Sequence, residues 1–412
     1  MAARAAKPTP SVHTLDVRLG DTLVGTLVHL GNEDLLFTFD RDYVERADTR
    51  PTLSLSFKAA DGGLVERARP THVRLPPFFA NLLPEAHLRT YLAARGGVHP
   101  DREFFLLWLL GHDLPGAITV RASDGSRPAR EDDDTSRAKR GEAPMRFSLA
   151  GVQLKFSALQ ESPGGLTLPV DGTGGDWIVK LPSPRFAEVP QNEYAMMTLA
   201  RAVGIDVPDV QLVDTQTIGG LPAHLPEAFA QSLAVCRFDR PHTGERVHIE
   251  DFAQVFGVYP EMKYKRASYG NIARVLWLET GQSGVVEFTR RLVFNTMIGN
   301  ADAHLKNWSL IYQDGRTPTL APAYDLVSTI AYLPDDSLAL SLGGTKHFDD
   351  VDIERFRHMA DKAGLPVRLV VETARDTTAR IRDLWPSHEP ARSLKPTVRQ
   401  SIDAHMQSVP LV

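Results

Sequence analysis

The spacing of apolar and polar residues predicts a β-meander at the start of the chain. Leu15-Asp-Val-Arg-Leu and Leu23-Val-Gly-Thr-Leu-Val-His-Leu flank a Gly20-Asp21 turn, and Leu35-Leu-Phe-Thr-Phe follows. The apolar stretches from Phe78 to Glu85 and from Glu103 to Leu110 predict helices. We therefore predict an N-terminal β-rich subdomain over residues 1–123. Residues 124–144 are dense in charged residues and nearly free of large apolar ones, which predicts a flexible linker.

Residues 145–238 predict a second, strand-rich lobe. Apolar residues from Asp176 to Lys180 form one short strand, and the other predicted strands begin at Phe156, Val210 and Ala234. A helix follows the Lys180 strand, with Asn192 as the expected N-terminal cap and Gly204 as the stop.

Residues 239–412 have a mainly helical pattern. The predicted helices are Ile249 to Phe256, Ala267 to Glu279, Val285 to Ile298, Ile353 to Gly364, Pro366 to Trp385 and Leu394 to Gln407. A strand-rich lobe followed by a helical lobe predicts an α+β, two-lobed, protein-kinase-like fold that follows the N-terminal subdomain.

A polar segment and a hairpin interrupt the helices. The segment runs from Asn300 to Asn307, after an apolar helix end closed by Gly299. Trp308 to Tyr312 predicts a strand, Asp314-Gly315 a turn and Thr319 to Ala321 a return strand. Because Asp325 follows the return strand, the hairpin can bring it back towards the polar segment.

The spacing of three polar residues around this hairpin is typical of phosphoryl transfer. Four residues separate Asp302 from Asn307, and Asp325 follows the hairpin. In kinases the first carboxylate accepts the proton of the attacking hydroxyl, while the asparagine and the second carboxylate hold magnesium against the ATP phosphates. His304, in the same loop, could contact phosphate. The alternative interpretation is a polar loop with ordinary capping residues.

A kinase also needs a lysine for the ATP phosphates and a helix glutamate to hold it. Lys180 ends an apolar strand, and Glu193 lies in the first turn of the next helix. The alternatives are an exposed strand end and a favourable charge at a helix start. We favour an ion pair, since both residues precede the Asp-x4-Asn spacing.

Two further segments are candidates for nucleotide contacts. Phe147 to Lys155 occupies the place of a phosphate loop, although it lacks a G-x-G-x-x-G pattern and could be a simple turn. The connector from Cys236 to Phe238 should hold the adenine, and Cys236 has no basic partner arranged to make it a nucleophile. The short basic cluster Lys263 to Arg266 is interpreted as a solvated helix start that could dock an acidic partner.

Composition narrows the function classes. The chain has 412 residues and a net charge of −5. Its overall charge therefore does not favour binding to nucleic acids or membranes. One cysteine excludes an internal disulfide framework and fits a reducing cytoplasm. The start of the sequence has no signal-peptide pattern, and no run reaches the 18 or so apolar residues of a spanning helix.

Taken together, the motifs resemble the HipA-like serine/threonine kinases, the toxins of bacterial toxin–antitoxin pairs. The resemblance extends over most of the chain. Its motifs are Leu75 to Glu85, Ser148 to Lys155, Trp177 to Lys180, Asn192-Glu193, Arg237 to Arg240, Glu250 to Phe252, Lys263-Tyr264, Gly299 to Asn307 and Tyr324 to Leu326.

The resemblance implies roles for individual residues. Asp302 is the expected catalytic base, Asn307 and Asp325 the Mg²⁺ ligands, and Lys180 the ATP lysine, paired with Glu193. The other residues expected to line the ATP site are Ala150, Gly151, Val152, Gln153, Leu154, Lys155, Cys236, Arg237, Phe238, His304, Leu305, Lys306 and Tyr324. Family members phosphorylate a serine of their own phosphate loop, and the matching residue is Ser148.

The resemblance also implies partners. These are a HipB-like helix-turn-helix antitoxin, operator DNA reached mainly through that antitoxin, and a protein substrate such as an aminoacyl-tRNA synthetase, whose modification arrests growth. Asn300-Ala301 and Leu326 depart from the ordinary protein-kinase motifs, which puts activation-loop control in doubt. A small-molecule or lipid kinase and a pseudokinase co-repressor stay open as alternatives.

Overall fold

The computed structural model describes residues 12–66, 69–128, 155–161, 165–167, 174–183, 185–186, 188–221, 230–241 and 244–411. The chain divides into two compact units, Met1–Glu142 and Ala143–Val412. No helix among these described residues is both long and apolar enough to cross a membrane.

A five-stranded sheet forms the centre of the first unit. Its strands are β1 (Thr14–Leu19), β2 (Thr22–His29), β3 (Asp34–Phe39), β4 (Thr71–His72) and β5 (Ile118–Ala122). Their order is β4-β3-β2-β1-β5, with β1 antiparallel to both neighbours. Leu15, Val17 and Leu19 are buried because every second side chain of β1 faces the core. The meander predicted from the alternation is present.

Four short helices lie in the described part of the first unit. They are α1 (Arg41–Glu45), α2 (Pro77–Ala80), α3 (Ala86–Arg95) and α4 (Glu103–Leu110). Helix α4 matches its prediction, whereas the helix expected from Phe78 to Glu85 ends at Ala80 and α3 was not predicted. Pro84 disfavours helical geometry at Leu83, so the helix cannot run on to Glu85 as predicted.

Another five-stranded sheet contains the first described strands of the second unit. Its strands are β6 (Lys155–Glu161), β7 (Gly165–Thr167), β8 (Trp177–Lys180), β9 (Val210–Asp214) and β10 (Gln231–Cys236), in the order β7-β6-β8-β10-β9. Central strand β8 pairs antiparallel with β6 and β10, and its Val179 is fully buried against Ala158 and Ala234. The sheet therefore fixes the end of β8, where Lys180 lies.

Helix α5 (Val189–Val203) begins earlier than predicted. The residue before it, Glu188, adopts a left-handed conformation (φ 58°), so the expected cap Asn192 lies inside the first turn. Asn192 is fully buried and bonds to a distant segment, which explains why a typical capping residue does not cap here. Gly204 ends the helix at φ 95°, as predicted.

Helices dominate the rest of the second unit. They are α6 (Phe252–Val255), α7 (Tyr269–Met297), α8 (Ile353–Ala363), α9 (Val367–Leu384), α10 (Glu389–Arg392) and α11 (Pro396–Ser408). Single 3₁₀ turns cover Leu55–Phe57, Thr215–Thr217, Pro260–Met262, Leu305–Asn307, Phe348–Asp350 and Trp385–Ser387 across the two units. The two helices predicted from Ala267 to Ile298 join as α7, which Gly281 interrupts with non-helical angles (φ 66°, ψ −151°).

A three-stranded sheet takes one strand from before the polar segment and two strands from after it. Its strands are β11 (His248–Asp251), β12 (Ser309–Tyr312) and β13 (Thr319–Leu320). The predicted helix from Ile249 to Phe256 is therefore wrong in its first half, because residues 248–251 pair with β12. Asp251 then caps α6 through a bond from the Gln254 N–H.

The predicted hairpin between the two polar clusters is present. β12 and β13 pair antiparallel, and Gly315 has the positive φ (76°) that the turn requires. Asp314 accepts bonds from the backbone N–H groups of Thr317 and Arg316, which lower the pKa of its carboxyl to about 2.

Candidate active site

Lys180 lies at the end of β8 between two carboxylates. Its ammonium donates hydrogen bonds to Glu193 Oε1 and to Asp325 Oδ1. Side-chain exposure is 5 % for Lys180 and 2 % for Glu193. The Lys180–Glu193 contact predicted from the sequence is present, and Asp325 joins it from the far side of the polar hairpin.

The charges in this cluster shift one another's pKa. Burial alone would lower the pKa of Lys180, but Asp325 and Glu193 outweigh it and raise the pKa above the usual lysine range. Burial opposes ionisation of Asp325, yet Lys155 and Lys180 hold its pKa well below the usual range. Burial raises the pKa of Glu193, while Lys180 opposes that shift. Lys180 and Asp325 therefore each stabilise the charged form of the other.

Asp325 has an unusual backbone. Its φ is +54°, a left-handed conformation that few non-glycine residues adopt. Its second carboxylate oxygen, Oδ2, accepts a bond of 2.9 Å from Lys155 Nζ, so the carboxylate lies between two ammonium groups. Such conformations are concentrated at functional sites, where the surrounding contacts determine them.

Asp302, the candidate base, is the more accessible acidic group. Its side chain is 52 % exposed, and His304 Nε2 lies 3.8 Å from Oδ1. The Tyr264 hydroxyl donates a hydrogen bond to the same oxygen. His304 itself is buried. A carboxylate that is exposed but held on one side can reach a hydroxyl brought by another molecule.

Asn300 joins the segments that carry the two aspartates. Its side-chain amide donates to the Asp325 carbonyl (3.2 Å) and accepts from the Asp302 N–H (3.0 Å). The same amide also donates to Asn295 Oδ1 in α7 (2.7 Å). A nearly fully buried asparagine with these bonds fixes Asp302 relative to Asp325.

Further bonds join the same two segments. The Ala301 N–H donates to Thr329 Oγ1 (2.8 Å), and the Ile330 N–H donates to the Gly299 carbonyl (3.0 Å). The convergence expected from the hairpin is thus built from backbone and side-chain hydrogen bonds between residues about 30 positions apart.

Asn307, Tyr324 and Asp325 line one cavity of about 10 Å³, roughly the volume that one water molecule needs. Asn307 donates its amide N–H to the Asp302 carbonyl (2.8 Å), so its amide oxygen is the atom that could hold a cation. Tyr324 donates to the carbonyl of Lys306 (2.8 Å), which anchors the loop between Asn307 and His304.

The candidate adenine connector follows β10. The rings of Phe238 and Tyr324 lie 5.8 Å apart, so two predicted nucleotide-lining residues are neighbours. The backbone N–H groups of Cys236 and Arg237 donate to Asp209 and Asp176 carbonyls, respectively. Burial raises the pKa of the Cys236 thiol, and Asp209 and Asp176 add to the shift, which disfavours the thiolate form.

Six predicted site residues lie outside the described residues. They are Ser148, Ala150, Gly151, Val152, Gln153 and Leu154. Lys155, the last residue of that loop, is described and contacts Asp325. Leu305 is buried, and its N–H lies 3.4 Å from the Lys263 carbonyl.

Asn192 is a site residue whose role sequence reasoning missed. Its amide oxygen accepts from the Ser328 N–H (3.1 Å), and its amide nitrogen donates to the Ser328 carbonyl (3.0 Å). This pair of bonds holds the segment after Asp325 against the first turn of α5, next to Glu193. The helix that carries Glu193 and the segment that carries Asp325 are therefore fixed together.

Replacing Asn192 by alanine is expected to lower the free energy of unfolding by about 1–3 kcal/mol. Both backbone groups of Ser328 would lose their buried partner. Urea denaturation measures the change, and hydrogen exchange should show faster exchange across residues 325–330. The matched control is Gln191→Ala on the preceding, more exposed position, with an expected change within about 0.5 kcal/mol. Equal stability of the two variants would contradict the assignment.

Comparisons with known proteins place the chain in a family. The family model "HipA-like C-terminal domain" matches residues 147–385, and "HipA N-terminal domain" matches residues 15–121. The chain is 51 % identical to a Sinorhizobium fredii protein named "Putative kinase Y4dM", with 98 % of each chain covered. It is 28 % identical to the "Serine/threonine-protein kinase toxin HipA" of Shewanella oneidensis, with 90 % of this chain and 88 % of that one covered.

A solved structure supports the fold. The chain resembles a structure of the Shewanella oneidensis HipA, HipB and operator DNA complex, with a TM-score of 0.72, 22 % identity and coverage of 96 % of this chain and 95 % of that one. The predicted α+β, two-lobed, protein-kinase-like fold with a β-rich N-terminal subdomain is confirmed. The matched family models and these relatives together show that the chain belongs to the HipA-like kinase family.

Proposed function

We propose that this protein is an ATP- and Mg²⁺-dependent protein serine/threonine kinase that acts as the toxin of a toxin–antitoxin pair. One observation carries the proposal. A single network joins Asp302, Asp325, Lys180 and Glu193, through Asn300 on one side and the Lys180 ammonium on the other. A base, a metal-type carboxylate and a phosphate-type lysine are the parts that phosphoryl transfer requires.

In the proposed reaction Asp302 receives a proton. The oxygen of a serine hydroxyl forms a bond to the γ-phosphorus of ATP, the bond between that phosphorus and the bridging oxygen breaks, and ADP leaves. Asp302 takes the hydroxyl proton as the new bond forms. Lys180 binds the α- and β-phosphates, and Glu193 holds its ammonium in position.

The residues at the candidate metal position fit magnesium. Asn307 and Asp325 offer an amide oxygen and a carboxylate beside one cavity, and hard oxygen donors are what Mg²⁺ prefers. Within the described part of the chain, no group of three or more His, Cys, Asp and Glu side chains could hold a metal ion. We propose an ion held by one carboxylate, one amide and the nucleotide phosphates. When bound, the ion would neutralise charge on those phosphates.

Asp325→Asn is expected to raise the Mg²⁺ concentration for half-maximal activity by about tenfold or more, because one anionic ligand is lost. Titration of activity with magnesium at saturating ATP measures the change. Asp350→Asn, at an exposed position in a 3₁₀ turn, is the control. An unchanged magnesium dependence in Asp325→Asn would refute the metal assignment.

The finer parts of the proposal concern targets and partners. We propose that the protein phosphorylates its own Ser148. The added phosphate would carry a charge of about −1.5 to −2 and would repel the phosphates of ATP. We also propose a translation component, such as an aminoacyl-tRNA synthetase, as the cellular target. A HipB-like helix-turn-helix antitoxin would mediate operator binding. The family membership supports these parts, as does the Shewanella complex of HipA, HipB and operator DNA.

Incubation with radiolabelled ATP and magnesium tests the function. Label on the protein, mapped to Ser148 and on a protein substrate, supports the proposal. Label found solely on lipid or on a small molecule would favour the alternative kinase class. No transfer, with antitoxin binding intact, would favour a pseudokinase co-repressor.

A further inference from the structure

Tyr264 contacts the candidate base directly, although the sequence motif around it predicts a solvated basic cluster. Its hydroxyl donates to Asp302 Oδ1. Its ring packs edge-on against His304, with ring centroids 4.9 Å apart and an interplanar angle of 81°. The buried His304 ring therefore restricts the direction from which the Tyr264 hydroxyl approaches the Asp302 carboxylate.

The backbone of this tyrosine is tied to the loop that carries the base. Lys346 Nζ donates to the carbonyls of Tyr264 (3.2 Å) and Ala339 (2.8 Å). The Lys265 N–H donates to the Met262 carbonyl (2.9 Å), which closes the turn around Tyr264. Leu305, three residues after Asp302, approaches the Lys263 carbonyl. The Leu305–Lys263 bond joins the segment of Tyr264 to the loop of Asp302, and the other bonds hold the backbone around Tyr264.

Phosphoryl transfer is sensitive to the orientation of the base. A carboxylate that is half exposed can rotate about its side-chain bonds, and a misplacement of about 1 Å can cost a factor of about 10² in rate. The Asn300 bond fixes the Asp302 backbone but not its carboxylate. Within the described part of the chain, the hydrogen bond to Asp302 Oδ1 comes from the Tyr264 hydroxyl.

We propose that Tyr264 is a positioning residue for the phosphoacceptor site. It holds Oδ1 of Asp302, so that Oδ2 is the oxygen that receives the proton of the substrate hydroxyl. This inference rests on the proposed kinase function. A competing role predicts the opposite result: a phenol that fills the place of the substrate hydroxyl would obstruct the reaction, and its removal would speed transfer.

Tyr264→Phe keeps the ring and removes the donor. We expect kcat for phosphoryl transfer to a protein substrate to fall by about 10- to 100-fold, within the range of a misplaced base. The KM for ATP should change by less than about threefold, because the Tyr264 hydroxyl bonds to the base while Lys180 bonds to Glu193 and Asp325. The melting temperature should be unchanged. Tyr43→Phe, which removes a buried phenol bond to Pro51 in the first unit, is the matched control.

A double variant shows whether Tyr264 acts through Asp302. In the Asp302→Asn background, adding Tyr264→Phe should cause no further loss, whereas independent roles would multiply their losses. Unchanged or faster transfer by Tyr264→Phe, or multiplied losses in the double variant, overturns this inference while the kinase function stands. A wild-type protein that transfers no phosphate overturns both.

Discussion

Replacing Asp302 by asparagine is expected to lower kcat for phosphoryl transfer by about 10²- to 10⁴-fold, the usual contribution of a general base. The amide keeps the shape of the side chain, but it cannot accept the proton of the attacking hydroxyl. The backbone bond from the Asp302 N–H to Asn300 is unaffected by the change. Stability should therefore change little, and the loss should lie in catalysis.

Nucleotide binding separates this loss from a damaged site. Affinity for a non-hydrolysable ATP analogue, measured by calorimetry, should stay within about threefold of the wild-type value, because Lys180 and Asp325 bond to each other and not to Asp302. Asp361→Asn, at an exposed position on α8, controls for the loss of one surface charge. Retention of more than a third of wild-type kcat by Asp302→Asn would sink the assignment of the base.

Replacing Lys180 by methionine should affect both stability and nucleotide binding. Glu193 would lose the cation it is bonded to while staying buried, and Asp325 would keep Lys155 alone. Removing one member of a buried ion pair, while the other stays buried, typically lowers the free energy of unfolding by about 3–5 kcal/mol. The ATP phosphates would also lose their lysine, so affinity for an ATP analogue should fall by more than about tenfold.

The stability loss in Lys180→Met should depend on pH. In the wild type, the lowered pKa of Asp325 stabilises the fold at pH values above the ordinary aspartate pKa, and this contribution is lost as pH falls through the folded pKa. In the variant, Glu193 is buried without its cation, so protonation relieves its cost. The difference between the proteins should therefore be largest near pH 7 and shrink towards pH 4 to 5.

Urea denaturation of both proteins at pH 7 and at pH 4.5 measures this effect. The matched variant is Lys180→Met with Glu193→Gln, which removes the uncompensated carboxylate and should regain part of the lost stability. A Lys180→Met protein as stable as the wild type at pH 7, or a deficit that grows on acidification, would contradict the buried cluster.

Local spacing made part of the site predictable. Asp302 and Asn307 lie on one short loop, and the Lys180 and Glu193 positions follow from a strand end and the next helix start, so the sequence pattern carries them. The hairpin turn is equally local, because Asp314-Gly315 specifies it within a few residues. The strands, helices and turn that match their predictions are of this local kind.

The remaining contacts depend on distant partners. Asn192 and Ser328 are 136 positions apart, and Tyr264 and Asp302 are 38 apart. A buried asparagine reads as a helix cap when its partner is unknown, and Tyr264 reads as part of a basic surface cluster. The sequence pattern predicts a helix from Ile249 to Phe256 for the same reason, because the partner of the strand at residues 248–251, β12, comes much later in the chain.

The left-handed backbone at residue 325 limits which side chains that position can carry. Glycine, asparagine and aspartate tolerate a φ near +54°, whereas alanine and branched residues are strained there. An alanine variant would thus combine a changed main-chain preference with a missing ligand. Asparagine isolates the lost charge, and any homologue with a bulky residue here would need a differently shaped loop before its chemistry could be compared.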